Sequence, residues 1–153
     1  ANASQYSTAS RDGSVKLWDA VSSKVTRTLP GIHGGSHVHS AEISRSGKYV
    51  LTTGGDSTAR LFDVRTGALL RVFKGVVCSG ARVEASFMGT NEEYVIGGSE
   101  DAKNIMVWDV ATASLSCRLS GSSAPVAKCV VRPTATLAFA ASGTDGKIMF
   151  WSE

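Results

Sequence analysis

The sequence DGSVKLWD at residues 12–19 returns three more times along the chain in altered form. The copies are DSTARLFD at 56–63, DAKNIMVWD at 101–109 and DGKIMFWS at 145–152. Each copy begins with an aspartate and continues into an apolar run that reaches a large aromatic residue. Those aromatic residues follow one another at steps of 44, 46 and 43 residues. This period fits a four-stranded propeller blade and exceeds that of ankyrin, tetratricopeptide and leucine-rich repeats.

The segments within one period have the composition of strands. Residues 49–53, 59–64 and 69–73 are short runs rich in β-branched or aromatic side chains, and turn-forming residues separate them. Asp12-Gly13 and Asp145-Gly146 are strong signals for tight hairpin turns, whose central residues need positive φ. Since no stretch of eleven or more residues carries a helical apolar stripe, the sequence predicts an all-β fold.

The strand pattern predicts a single partial β-propeller over residues 1–153, with two complete four-stranded blades flanked by two incomplete ones. The predicted blade portions are residues 5–29, 38–73, 83–119 and 126–152. Both faces of a blade pack against neighbouring blades, which accounts for consecutive apolar residues such as those at 148–151.

The aromatic-Asp ending, preceded at a fixed distance by Asp, resembles the WD-repeat family. The resemblance implies a hydrogen-bonded chain of His, Ser or Thr, Asp and Trp in each blade. His33 and Asp56 match two of these positions, and Thr53 is the candidate for the third. Phe62 stands where the family has Trp and cannot donate a hydrogen bond. The corresponding Asp and Trp residues of the other blades are Asp12, Trp18, Asp101, Trp108, Asp145 and Trp151.

The resemblance also implies a larger assembly of blades. WD-repeat rings usually have seven blades, so we expect this chain to be the C-terminal half of such a ring, starting at a second strand. Open blade edges and uncovered faces favour self-association of the fragment. Two stretches, from Ser10 and from Ile32, more closely resemble WD-repeat subunits of the pre-mRNA 3′-end cleavage and polyadenylation machinery. That resemblance implies a nuclear protein with other subunits as partners and with RNA contact indirect or auxiliary.

Composition adds few constraints. The formal charge of +3 marks a mildly basic surface. Cys78, Cys117 and Cys129 have no CxxC spacing and are expected to be reduced, packed thiols, which, with the lack of a signal peptide, indicates an intracellular protein. No membrane-spanning run occurs.

Catalytic, cofactor and metal sites are not predicted. No Gly-x-Ser-x-Gly elbow appears, and the aspartates at fixed positions have turn roles. His37 and His39 have a spacing that could bind a metal, but no cysteine lies nearby, and loop histidines are favoured. The carboxylates at 92–93 and 100–101 are assigned to solvated loops.

The sequence therefore predicts a non-catalytic scaffold that binds proteins through loops held by rigid strands. The candidate partner-binding residues are Arg11, His33, Ser36, Arg82 and Glu100. A general WD-repeat adaptor in signalling, chromatin or ubiquitin-ligase complexes is one alternative. Direct RNA binding is another, and its candidate basic face is formed by Lys16, Arg27, Arg45, Lys48, Arg60, Arg65, Arg71 and Lys74.

Overall fold

The computed structural model of the chain describes residues 4–76, 78, 82–100, 104–132 and 138–152. In this part of the chain the regular elements are all β-strands. Their bounds are β1 Gln5–Ala9, β2 Val15–Asp19, β3 Val25–Leu29, β4 Val38–Ile43, β5 Tyr49–Gly54, β6 Thr58–Asp63, β7 Leu69–Lys74, β8 Ala85–Met88, β9 Tyr94–Gly98, β10 Ile105–Asp109, β11 Leu115–Leu119, β12 Val126–Val131, β13 Phe139–Gly143 and β14 Ile148–Trp151.

These strands form four antiparallel sheets in which neighbours in the chain are neighbours in space. We call them blade 1 (β1–β3), blade 2 (β4–β7), blade 3 (β8–β11) and blade 4 (β12–β14). Two four-stranded blades thus lie between two three-stranded ones. The predicted all-β partial propeller is confirmed.

Successive residues of β5 face different neighbouring blades. Val50 lies in the core between blades 1 and 2, whereas Leu51 lies in the core between blades 2 and 3. On β6, Phe62 and Leu61 divide in the same way. Because side chains alternate between the two faces of a strand, blade 2 has two apolar faces, and each is covered by a neighbouring blade.

Three apolar cores fill the spaces between consecutive blades. The core between blades 2 and 3 contains the fully buried Trp108, whose ring centre lies 6.1 Å from that of Phe73. The core between blades 3 and 4 is built around Ile96, Ile105 and Phe139. Burial of this kind contributes about 25 cal/mol for each Å² of apolar surface, so the contacts between blades stabilise the fold.

Strand pairing in blade 3 begins later than the sequence predicted. The predicted first strand of this blade starts at residue 83, but β8 starts at Ala85, which pairs with Gly97. The amide of Glu84 instead donates to the carbonyl of Ala127 in blade 4, at 2.9 Å. At Glu84 a backbone hydrogen bond to blade 4 therefore takes the place of the predicted pairing within blade 3.

Arginines on the outermost strands connect blades at their edges. Arg27 donates to the carbonyls of Arg65 and Thr66 in blade 2, and Arg71 donates to the carbonyl of Ala111 in blade 3 at 3.0 Å. Both arginines hold the same place in their blades, opposite Leu17 and Leu61.

The corresponding residue of blade 3 is Cys117, which pairs with Val107. Its side chain is exposed, so the expectation of a packed thiol at this position is wrong, because β11 is the outer strand of its blade and this face is uncovered. Cys78 and Cys129 are buried, and burial raises the pKa of their thiols to about 11 and about 12.

The close approach of blades 3 and 4 predicts a specific sensitivity at Gly98. A Cβ at this position would lie 2.1 Å from the carbonyl oxygen of Val126, so Gly98→Ala must push the blades apart. We expect a loss of about 1–3 kcal/mol in the free energy of unfolding, measured by urea denaturation. Gly55→Ala is the matched control, since its Cβ would meet nothing nearer than 3.7 Å. Equal losses in the two variants would contradict the close approach.

Candidate functional site

A buried histidine connects the segment before β4 to the turn between β5 and β6. His33 has no exposed surface, and its Nδ1 lies 2.8 Å from Asp56 Oδ1 while its Nε2 lies 2.9 Å from Thr52 Oγ1. An ionised carboxylate only accepts hydrogen bonds, so Nδ1 carries the proton. The neutral ring then accepts at Nε2 from the Thr52 hydroxyl, and both ring nitrogens are satisfied.

Two further side chains complete this network around Asp56. The Thr58 hydroxyl donates to Oδ1 at 2.9 Å, and the Arg60 guanidinium donates to Oδ2 at 2.7 Å. Arg60 also donates to the carbonyl of Ile32 at 2.8 Å. The network therefore holds the chain before β4 at two adjacent residues, Ile32 and His33.

The pKa values of the two central groups agree with this hydrogen-bond pattern. Burial lowers the pKa of His33 and outweighs the opposite effect of the Asp56 carboxylate. Burial would raise the pKa of Asp56, but hydrogen bonds from His33 and Thr58 outweigh it, so that this pKa is lowered. A neutral imidazole beside an ionised carboxylate agrees with both the hydrogen-bond distances and the directions of the two pKa shifts.

The hydroxyl of the network comes from Thr52, and the expectation of Thr53 is corrected. Thr53 Oγ1 donates to the carbonyl of Val83 at 2.9 Å and lies 2.7 Å from Ser40 Oγ. Because neighbours on a strand point to opposite faces, Thr53 faces blade 3 while Thr52 faces His33.

The sequence contains a signal for Thr52. Ten residues separate Thr52 from Phe62, and ten separate Thr8 from Trp18. In blade 1 the Trp18 indole donates to Thr8 Oγ1 at 3.0 Å. The same spacing from the aromatic residue of blade 2 points to Thr52.

The other blades hold their aromatic residues differently. In blade 3 the Trp108 indole donates to the carbonyl of Lys74 at 3.0 Å. In blade 4 the ring of Trp151 stacks on Phe139 with centroids 4.9 Å apart. Asp12 and Asp145 accept backbone amides within their own turns, and Asp101 lies outside the described residues.

The structure separates the five predicted partner-binding residues. Arg11 and Arg82 are exposed, and Ser36 and Glu100 are half-buried. His33 is completely buried, and its two ring nitrogens are hydrogen-bonded to Asp56 and Thr52, so its assignment as a partner contact is corrected.

Arg11 and Arg82 line one pocket of about 310 Å³, together with His37 and His39. His37 Nδ1 donates to the carbonyl of Arg11, which orients the ring at the pocket. His39 Nδ1 is buried without a hydrogen-bond partner. Burial, followed by the charge of Arg82, lowers the pKa of His39. The four residues come from the β1–β2 turn, the start of blade 2 and the segment before β8, so three blades contribute to this pocket.

A larger cleft of about 620 Å³ lies along β1, β4, β8 and β12. The carboxyl group of Glu42 faces it, and burial raises the pKa of this group although Ser86 and the Phe87 amide donate to it. Glu84 pairs with Lys128 across the cleft at 2.8 Å. Sequence analysis did not single out Glu42, since one carboxylate in a strand carries no pattern.

No group of three or more potential metal-ligating side chains occurs among the residues that the structure describes. The described residues also include no helix that could span a membrane.

Comparisons with known proteins agree with the repeat. The family described as "WD domain, G-beta repeat" matches residues 2–19 and 23–63. Cleavage stimulation factor subunit 50 of Arabidopsis thaliana is 31% identical over 148 residues, covering 97% of this chain and 34% of that protein.

Two other relatives have different names. Autophagy-related protein 16 of Arabidopsis thaliana is 30% identical over 122 residues, covering 77% of this chain and 23% of that protein. GID complex subunit 7 of Schizosaccharomyces pombe is 30% identical over 117 residues, covering 76% of this chain and 23% of that protein. The chain therefore spans about a quarter to a third of the length of these three relatives.

The network predicts that Asp56 stabilises the fold more than its counterparts in other blades. Asp56→Ala leaves the Nδ1–H of His33 buried without an acceptor, and we expect a loss of about 2–3 kcal/mol in the free energy of unfolding. Asp12→Ala, at the same place in blade 1, removes the acceptor of the Ser14 amide within one turn and breaks no contact to another segment, so it should cost less. Urea denaturation of both variants measures the difference. A loss for Asp12→Ala that equals that for Asp56→Ala would contradict the structural role of the network.

Proposed function

This chain carries repeats of the WD domain, G-beta repeat family, and we propose that it is a non-catalytic, protein-binding scaffold in the pre-mRNA 3′-end cleavage and polyadenylation machinery. The observation that carries the scaffold role is that one set of polar residues is used in hydrogen bonds within the protein, whereas a second set is exposed. His33, Asp56 and Arg60 bond to one another and to the backbone. Arg11, in the β1–β2 turn, and Arg82, in the segment before β8, are exposed.

The absence of catalysis is part of the proposal. A catalytic histidine must reach a substrate, but His33 is completely buried and both its nitrogens are occupied. Cys78 and Cys129 have raised thiol pKa values and no exposed surface of consequence, which disfavours a thiolate nucleophile at either position.

The assignment to 3′-end processing, and with it a nuclear location, rests on the similarity to cleavage stimulation factor subunit 50, which matches 97% of this chain. A general adaptor for another complex is the competing proposal, since relatives of similar identity include an autophagy-related protein and a subunit of the GID complex. The two proposals share the physics of the fold and differ only in the partner.

Direct RNA binding is less favoured by the contacts of the basic residues. Of the candidate basic face, Arg27 and Arg71 donate to carbonyls of the next blade, and Arg60 donates to Asp56 and Ile32. Guanidinium groups used in this way have fewer donors for phosphate oxygens. The proposal therefore assigns RNA an indirect or auxiliary role.

Affinity capture of the tagged, full-length parent protein tests the proposed complex. We expect subunits of the cleavage and polyadenylation machinery to co-purify and to remain bound after ribonuclease treatment, because the contacts are between proteins. Capture of autophagy or ubiquitin-ligase subunits without 3′-end processing subunits would favour the general adaptor. Loss of all partners on ribonuclease treatment would favour RNA binding.

We also propose that the isolated chain self-associates through the outer face of blade 4. Val130, Ile148 and Phe150 are 59%, 64% and 81% exposed on this blade, and exposed apolar patches promote association. Phe150→Ser should therefore lower the weight-average mass measured by light scattering at high protein concentration. Val21→Ser is the matched control, since Val21 is 87% exposed in a turn. A monomeric wild-type chain over a broad range of concentrations would contradict this proposal.

A further inference from the structure

The pocket beside Arg11 is lined by side chains that carry, or can carry, positive charge. Its polar lining consists of Arg11, His37, His39 and Arg82. The ion pairs between described residues include neither arginine. Two permanent cations and two imidazoles thus converge on one small space at the junction of three blades.

Two carboxylates, those of Asp56 and Glu100, raise the pKa of His39, but each has a smaller effect than the charge of Arg82, which lowers it. Asp56 also accepts hydrogen bonds from His33, Thr58 and Arg60. Arg11 adds a second cation to the same pocket.

The arginines are the main hydrogen-bond donors of the wall. His37 donates from Nδ1 to the Arg11 carbonyl, so Nε2 of its neutral ring accepts a hydrogen bond and does not donate one. His39 lies in the wall with Nδ1 unpartnered. Buried polar groups without partners are rare in folded proteins and are often satisfied by a ligand or solvent.

We infer that this pocket, formed by Arg11, His37, His39 and Arg82, binds acidic side chains of a partner protein. Planar guanidinium groups recognise carboxylates through two parallel hydrogen bonds. A pocket of about 310 Å³ holds one or two such side chains. A nucleic-acid strand would need cations spread along its backbone, whereas these cations meet at one place. This inference rests on the proposed scaffold function and specifies the chemistry of the partner.

Binding of a fluorescein-labelled hexaglutamate peptide, followed by fluorescence anisotropy, tests the inference. The wild-type chain should bind this peptide at low ionic strength, bind it less well at high ionic strength, and not bind a hexaglutamine peptide. The double variant Arg11→Gln with Arg82→Gln should bind at least about tenfold more weakly, since each charge-assisted contact contributes more than about 1.4 kcal/mol.

The matched control is the double variant Lys24→Gln with Lys48→Gln, which removes the same charge. Lys24 and Lys48 are exposed in the β2–β3 and β4–β5 turns, at the end of the blades opposite the pocket. We expect its affinity to stay within about twofold of the wild type, because long-range charge effects are screened by salt. Thermal unfolding of all three proteins shows whether the substitutions leave the fold intact.

Three outcomes of the peptide experiment would overturn the inference. They are absence of hexaglutamate binding to the folded wild-type chain, equal weakening in the two double variants, and much tighter binding of a phosphoserine peptide than of hexaglutamate. The failure of the proposed function is a separate result. If the parent protein carrying Arg11→Gln and Arg82→Gln still captures its partner subunits, the scaffold function stands and the inference about acidic side chains fails. If hexaglutamate binds but the parent protein captures no partner subunit, the inference about the pocket stands and the scaffold function fails.

Discussion

The fold depends on the burial of two apolar faces in each inner blade. Val50 and Leu51 are neighbours on one strand, yet they lie in different cores, each completed by a different blade. A four-stranded sheet of this kind cannot cover both faces with its own residues, so its stability is tied to that of its neighbours. The same constraint sets Gly98 against the backbone of Val126, where no Cβ fits.

The alternation that builds the cores also decides which polar side chains can meet. Thr52 and Thr53 are adjacent and chemically identical, but one reaches His33 and the other reaches the carbonyl of Val83 in blade 3. Each hydroxyl therefore connects a different pair of elements. Blade 2, which lacks the tryptophan donor at Phe62, compensates with Arg60, whose guanidinium joins Asp56 to the segment before β4. The polar network is thus specific to a blade and is not a fixed property of the repeat.

Sequence reasoning predicted what depends on period and composition. The four repeats, the strand order and the positions of the turns follow from a recurrence of about 45 residues and from period-two apolar patterns. It failed where a side chain's neighbours come from another blade. The register in which β5 faces the preceding segment decides between Thr52 and Thr53. His33 is predicted both as a member of the blade network and as a partner contact, and its complete burial agrees with the network alone. Blade 3 starts at Ala85 because Glu84 bonds to blade 4, which no local pattern encodes.

The basic residues show most clearly why composition alone does not assign function. Arg27, Arg71 and Arg82 are equivalent in a count of charge, but the first two donate to carbonyls of the next blade, and the third lines a pocket with Arg11. An arginine at an outer strand meets the carbonyls of the adjoining turn, so its charge is used to join blades. Arg82, in the segment before β8, and Arg11, in the β1–β2 turn, come from different blades and add their charges at one pocket. A concentration of like charge costs energy in the free protein, and an anionic partner relieves that cost, which is the physical reason for the proposed preference of the pocket for acidic groups.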